Sequence, residues 1–248
     1  MQKVWTTPSG ERYTLYSDML KQPHLLIAGA TGSGKSVVIN GLIYTALYDS
    51  PAAVEFILID PKRVELVDYK PLPHTLRYAS EPDTMIEALE YSMTVIEARF
   101  KDMGRRHIKE WDGGDVYVII DELADLMTTQ RRRVQPLLQR ICQIGRAAHV
   151  HVIAATQSPI AKVIPTEIKV NFDSRVGLRT GSAQDSRNIL GVKGCETFPD
   201  PKTEQRALGY YRQGANLTLY NIPMQAQDDI NAMLDYWRRC KPRYKLFA

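Results

Sequence analysis

The chain has 248 residues, of which 44% are hydrophobic and 24% charged, with a formal net charge of +4. That balance suits a globular protein that buries its own core and excludes a disordered or fibrous chain. The mild positive charge permits an anionic partner without demanding one, so the placement of the cations has to decide.

Three cysteines, Cys142, Cys195 and Cys240, stand far apart without metal-ligand spacing, which fits a reduced, cytoplasmic setting. No apolar run approaches the roughly 20 residues that cross a bilayer. The start, Met1-Gln2-Lys3-Val4-Trp5, lacks the apolar stretch of a signal peptide. A cytoplasmic protein is expected, tethered to any membrane only through a partner or a region outside this chain.

In chain order, Val4–Thr7 and Tyr13–Tyr16 flank Pro8-Ser9-Gly10, which predicts a short β-rich lead-in over 1–22. A buried strand over 24–28 precedes a helix over 35–48, and a second strand over 54–59 ends at Asp60-Pro61-Lys62. Pro71 and Pro73 mark a loop. Met85, Leu89, Met93, Ile96 and Phe100 recur at helical spacing, with Pro82 near the start, predicting a long helix over 82–106. A strand over 116–120, a helix over 134–148, and strands over 150–155 and 175–178 follow. Residues 191–206 are expected as a long surface loop, and 228–237 as a final helix. Near-continuous apolar strands alternating with helices predict a single α/β domain over 1–248, with a mostly parallel sheet covered by helices on both faces.

The chemistry begins at residues 29–36. Gly29, Ala30, Thr31, Gly32, Ser33, Gly34, Lys35 and Ser36 fit the phosphate-loop pattern G-x-x-x-x-G-K-[S/T] at every fixed position, between a strand and a helix. The glycines let the backbone turn its N–H groups inward on a phosphate chain, and the helix N-terminus adds partial positive charge. Lys35 is expected to reach the β- and γ-phosphates of ATP, and the Ser36 hydroxyl to ligate Mg²⁺.

A strand that runs straight into Asp121-Glu122 supplies the complementary carboxylates. Asp121 is expected to hold Mg²⁺ through water, and Glu122 to orient and polarise the attacking water. Gln157, at the tip of the strand over 150–155, is expected to sense the γ-phosphate or to position the water. Arg146, Arg175 and Arg187 are candidates for an arginine that meets the γ-phosphate from a neighbouring subunit. Three consecutive arginines, Arg131, Arg132 and Arg133, form a cationic cluster at a predicted loop–helix junction, suited to sequence-independent phosphate contacts or to a solvated basic turn. His24 and His74 lack a neighbouring Cys or His and read as structural. Asp60 and Lys62, at a strand end near the site, read as positioning or subunit-contact residues.

The motifs together resemble the motor domain of the FtsK/SpoIIIE DNA translocases, within the FtsK–HerA group of ring ATPases. The resemblance rests on Pro23-His24-Leu25-Leu26, Ile59-Asp60-Pro61-Lys62, Pro73-His74, Asp121-Glu122-Leu123-Ala124-Asp125-Leu126-Met127, Gly145-Arg146-Ala147-Ala148, Ala155-Thr156-Gln157 and Asp185-Ser186-Arg187, in the family's order over roughly residues 20–195. It implies a RecA-like P-loop ATPase that forms a homo-oligomeric ring, usually a hexamer, and moves double-stranded DNA. It favours Arg146 as the arginine acting in trans. It also implies two DNA-facing loops, 128–133 with Arg131–Arg133 and 158–165 with Lys162.

After Cys195-Glu196 the pattern fades, and 198–212 reads as individual. The stretch beyond residue 220 is short for the winged-helix module of cell-division members, which leaves an excised motor, or a small mobile-element or conjugation-type relative, as the expectation. Two other functions stay open on sequence: a ring ATPase of the same group that moves protein or couples conjugation, and a nucleotide-binding assembly module without turnover. The arginine cluster favours DNA over protein. The intact Lys35, Ser36, Asp121 and Glu122 argue against loss of turnover.

Overall fold

A computed structural model describes residues 16, 19–160, 163–204, 207–222 and 227–239. The phosphate-loop strand β1 (His24–Ala28) leads into helix α1 (Lys35–Asp49). Strands β2 (Val54–Ile59) and β3 (Thr75–Ala79) precede the long helix α2 (Pro82–Arg106) and strand β4 (Asp115–Ile120). Helices α3 (Leu123–Thr129) and α4 (Arg131–Ile144), strand β5 (Val150–Thr156), the one-turn α5 (Thr166–Lys169) and strand β6 (Ser174–Gly177) follow. Helices α6 (Ala183–Leu190) and α7 (Pro201–Glu204), the hairpin β7 (Ala207–Gln213) and β8 (Asn216–Ile222), and helix α8 (Gln227–Arg239) complete the described elements.

One sheet holds all eight strands in the order β3-β2-β4-β5-β1-β6-β7-β8. β1 to β6 pair in parallel, and β7 and β8 continue the sheet antiparallel. The expected α/β fold with a mostly parallel sheet is what forms. β1 and β4 are not neighbours. β5 lies between them, so the ends of β1, β5 and β4 stand side by side along one edge.

Alternation along the strands divides the core in two. Leu25, Ile27, Phe56, Leu58 and Ile119 pack with Val38, Leu42 and Ile43 of α1 and with Met233 and Leu234 of α8. Leu26, Ile57, Val118, Ile120 and Val152 face the other way, onto Ile86, Leu89 and Ile96 of α2 and Leu138 and Ile141 of α4. Both faces are dry, which is why these strands read as continuous apolar runs. Helix α2 opens with Pro82 in its first turn and a reciprocal Glu81–Thr84 cap, and it stops at His107, whose φ of 55° leaves the helical region.

Several expectations are corrected. Of the lead-in over 1–22, the expected extended segments at 4–7 and 13–15 lie outside the described residues, and among the described ones Tyr16, Met19 and Leu20 are helical. The helix expected over 134–148 runs instead from Arg131 to Ile144. Gly145 then turns the chain: its carbonyl accepts from Ala148 and Val150, and a Cβ there would lie 2.4 Å from the Val150 carbonyl oxygen. Residues 191–206, expected as a surface loop, carry a 3₁₀ turn at 195–197 and α7, and they bury Cys195 beside Ile189 and Leu190. The hairpin over 207–222 was not anticipated. Its two-residue turn, Gly214-Ala215, places Gly214 at φ 56°, as short hairpin turns require. Edge strand β3 was also missed, since its residues are mostly half-buried and lack a core signature.

Candidate nucleotide site

β1 delivers the chain to Gly29 at the carboxyl edge of the parallel sheet, where α/β proteins bind ligands. The loop curls because Gly32 and Gly34 adopt φ values of 72° and 101°, which residues with a Cβ rarely hold. Gly34 caps α1 without any side-chain cap, so the first-turn N–H groups of the helix point outward for an anion. The loop is pinned from behind by the Gly29 amide on the Thr156 carbonyl at 3.3 Å and by the Ala30 amide on the Arg179 carbonyl at 2.8 Å. The Ser33 hydroxyl is buried with no hydrogen-bond partner among the described residues. Such an orphan donor inside a phosphate loop fits an anionic ligand.

Lys35 is buried, and its Nζ donates to the Gly29 carbonyl at 2.8 Å and the Ala30 carbonyl at 3.0 Å. The ammonium is thus stored on the loop's own backbone. Burial pulls it down from 10.5 to about 8, against the opposing pull of Glu122 and Asp121. It therefore stays charged at neutral pH.

Asp121 extends β4 by one residue, its amide donating to the Ile59 carbonyl at 3.0 Å. Burial raises its carboxyl to about 7, helped by Glu65 and Asp60 and opposed by Lys62. A buried acid surrounded by acids gains most from a divalent cation. With Ser36 at the start of α1, the donor set of one hydroxyl and one carboxylate suits Mg²⁺, which keeps water and phosphate as its other ligands.

Glu122 caps α3 and is 3% exposed. Its Oε1 accepts from the Gln157 amide at 3.0 Å and the Ala124 amide at 3.4 Å. Its Oε2 accepts from the same Gln157 amide at 3.2 Å and from Lys62 Nζ at 3.3 Å. Gln157 also ties Glu122 to the loop, since its Oε1 accepts from the Thr31 hydroxyl at 2.8 Å. Asp60 shapes the turn that carries Lys62 and Glu65, its Oδ2 accepting from the Leu66 amide at 3.0 Å. Lys35, Ser36, Asp121, Glu122 and Gln157, predicted separately, converge on one edge because β1, β5 and β4 are adjacent and parallel.

The predicted arginines scatter. Arg146 is exposed in the turn before β5, while Gln157 follows its end. A strand of 7 residues separates the two, roughly 23 Å of extended backbone, so Arg146 cannot meet its own phosphate loop. A cavity of about 600 Å³ opens at that far edge, beside Arg146, Glu110, Asp115 and His151. Arg175 is caged, its guanidinium donating to the carbonyls of Phe172 at 2.9 Å, Ile189 at 3.0 Å and Lys169 at 2.9 Å. That is a scaffold role. Arg187 is exposed on α6.

Arg131–Arg133 are exposed, but they form the first turn of α4 rather than a loop. Arg131 donates to Gln135 at 3.1 Å, and Arg133 pairs with Asp83 at 3.2 Å and approaches Glu90 at 4.0 Å. Lys162 lies outside the described residues. The reading of sequence missed two cations near the loop. Arg179 pairs with Asp200 at 2.9 Å, and a Cβ on Gly32 would lie 3.3 Å from Lys202 Cε. No motif marks either; only the return of the chain through α7 brings Lys202 there.

Comparison with known proteins places the chain in a family. The sequence model of the FtsK/SpoIIIE family matches residues 3–115 and 114–161. The DNA translocase FtsK of Chlorobaculum tepidum is 42% identical over 203 residues, covering 73% of this chain and 25% of the relative. That of Helicobacter pylori is 36% identical over 236 residues, covering 89% of this chain and 27% of the relative. The chain thus spans about a quarter of the length of these curated relatives. Among solved structures, the cytoplasmic domain of the Thermomonospora curvata type VII secretion ATPase EccC superposes with a TM-score of 0.77 at 20% identity, over 92% of this chain and 29% of that one. The pCW3 conjugation coupling protein TcpA, solved with ATPgS, gives 0.75 at 24% identity, over 94% of this chain and 69% of that one. At such identities these two show a shared fold.

Proposed function

We infer, since the chain belongs to the FtsK/SpoIIIE family, that it is a motor domain that hydrolyses ATP and drives double-stranded DNA through a ring of identical subunits. The observation that carries this reading is a split site. Lys35, Ser36, Asp121, Glu122 and Gln157 share one edge of the sheet, while Arg146 stands on the opposite edge. Arg179 beside the loop is already paired with Asp200, and Arg146 on the far edge is offered to a neighbouring subunit's site, as in ring ATPases.

Within the site, the backbone amides of 32–36 bind the phosphates and Lys35 exchanges two carbonyl oxygens for phosphate oxygens. Ser36 and Asp121 would hold Mg²⁺, which would supply charge neutralisation on the phosphates. Glu122 orients the attacking water and accepts its proton. Arg146 of the next subunit meets the charge that develops on the γ-phosphate. Arg131, Arg132 and Arg133 are placed against the DNA backbone, with Lys162 as a further contact.

Steady-state ATP hydrolysis with and without long duplex DNA, at low and moderate salt, tests this reading. Strong stimulation that fades as salt rises supports a DNA motor. Robust hydrolysis indifferent to duplex overturns it and moves a protein-moving ATPase to the front.

A further inference from the structure

We propose that Lys62 is a positioning residue that latches Glu122 away from water in the DNA-free motor, and that engagement of DNA releases it. The proposal rests on the hydrolytic role inferred for Glu122.

Three donors hold the Glu122 carboxylate: the Gln157 amide, whose single N–H bridges both oxygens, the Ala124 amide and Lys62. A carboxylate offers about four lone-pair sites, so these donors compete with a water for Glu122. Losing one of them frees an acceptor direction for the nucleophile. The Gln157 and Ala124 donors are backbone amides, fixed by the end of β5 and the start of α3. Lys62 is different. Its side chain is 39% exposed, stands on the irregular turn after β2, and can swing into solvent on its four-carbon stem. It is the one displaceable donor of the three.

The turn that carries Lys62 is itself placed by contacts within this subunit. Asp60 accepts from the Leu66 amide, and the Arg63 amide donates to the Asp60 carbonyl at 3.1 Å. Arg63, at φ 57°, pairs with Glu81 at the start of α2. Arg133, the last arginine of the cluster proposed to face DNA, pairs with Asp83 in the first turn of that same helix. Two ion pairs, connected through the first turn of α2, therefore join the arginine cluster to the Lys62 turn. A phosphate that draws Arg133 from Asp83 perturbs the element that anchors Arg63, and through it the latch. Such an arrangement limits wasteful hydrolysis by an unloaded motor.

The test compares wild type, Lys62→Ala and Lys62→Arg in kcat and KM for ATP, each with and without long duplex DNA. Lys62→Ala is expected to raise the DNA-free kcat about fivefold, the worth of a half-exposed ion pair to a single carboxylate. Its KM should hold, its DNA-stimulated kcat should match wild type, and the stimulation ratio should shrink. Lys62→Arg should restore the low basal rate. A DNA-free kcat that falls or stays unchanged in Lys62→Ala overturns the latch, as does a large rise in KM, which would make Lys62 a direct phosphate ligand. Glu122→Gln, run in parallel, separates the two levels of inference. If Glu122→Gln still hydrolyses ATP, the role given to Glu122 fails. If it is inactive and Lys62→Ala behaves as wild type, the latch alone fails.

Discussion

The hydroxyl of Thr31 donates to Oε1 of Gln157 at 2.8 Å, across 126 positions of sequence. That bond joins the apex of the phosphate loop to the tip of β5. The Gln157 amide in turn holds both oxygens of Glu122. Loop, sensor strand and hydrolytic carboxylate are thus connected through one residue, because β5 runs between β1 and β4.

Gln157→Ala removes the side-chain link and keeps the backbone amide on Glu122. Both partners of the lost bond are exposed, so the stability change should stay within about 1 kcal/mol. Turnover should suffer more, because the loop and Glu122 lose their shared register. A fall in kcat of about tenfold is expected, with KM nearly unchanged, since the group is needed in the transition state rather than for binding. Steady-state kinetics alongside urea unfolding check both halves.

Asp121 makes the empty protein sensitive to pH. Its folded carboxyl, raised to about 7 by burial and neighbouring acids, binds a proton more tightly than the same group unfolded. Its contribution to stability is therefore full below the unfolded value of about 4 and is lost as pH rises through about 7. Buried His24, pulled down to about 4, acts with the opposite sign over much of that range. Lys35, pulled down to about 8, starts to lose its folded-state proton only at the alkaline end of that range. The clean readout is the difference between wild type and Asp121→Asn. The variant should gain on wild type by roughly 2–4 kcal/mol between about pH 5 and about pH 8. Urea midpoints at the two pH values check this, and a constant difference would contradict it.

The three arginines should not contribute equally to DNA binding. Arg133 already holds Asp83 and faces Glu90, whereas Arg132 is exposed with no acidic partner among the described ion pairs. A phosphate contact by Arg133 has to break an existing pair, so its net gain is smaller. Arg132→Ala is expected to weaken duplex binding more than Arg133→Ala, and to reduce the slope of log affinity against log salt by about 0.9. Binding titrations at several salt concentrations decide between the two.

The parts of the site that are contiguous in sequence were the legible parts. Lys35 and Ser36 follow a glycine pattern whose flanks fix its place between strand and helix, and Asp121-Glu122 ends an apolar run that could only be a buried strand. Gln157 was readable because β5 is as apolar as β1. Lys62 was visible as a residue near the site, but its bond to Glu122 depends on how the turn after β2 folds back, which no local pattern encodes. Lys202 and Arg179 reach the loop only through tertiary return of the chain. The start of α4 was misplaced for a physical reason. Three cations oppose a helix N-terminus, and they are tolerated here because Arg133 is neutralised by Asp83 and Glu90 of α2. The β7–β8 hairpin was obscured because much of its outer strand is exposed, so its alternation carries little apolar contrast.

Arg146 provides the sharpest test of assembly. It lies beyond the start of β5, at the edge of the sheet opposite Lys35, so within one subunit the two cannot act on the same phosphate. Arg146→Ala is expected to leave nucleotide affinity within about twofold and to lower turnover by about a thousandfold, the cost of losing a trans-acting arginine. Lys35→Ala should bind nucleotide poorly and also be inactive. Mixed in equal amounts, the two dead variants should recover a fraction of wild-type turnover. In a mixed ring, some interfaces pair an intact phosphate loop from one variant with an intact Arg146 from the other. ATP hydrolysis across a titration of mixing ratios measures that recovery, and it should peak near equal proportions. Mixtures that stay as inactive as their parts would remove Arg146 from the shared site and turn attention to Arg187, which is exposed on α6.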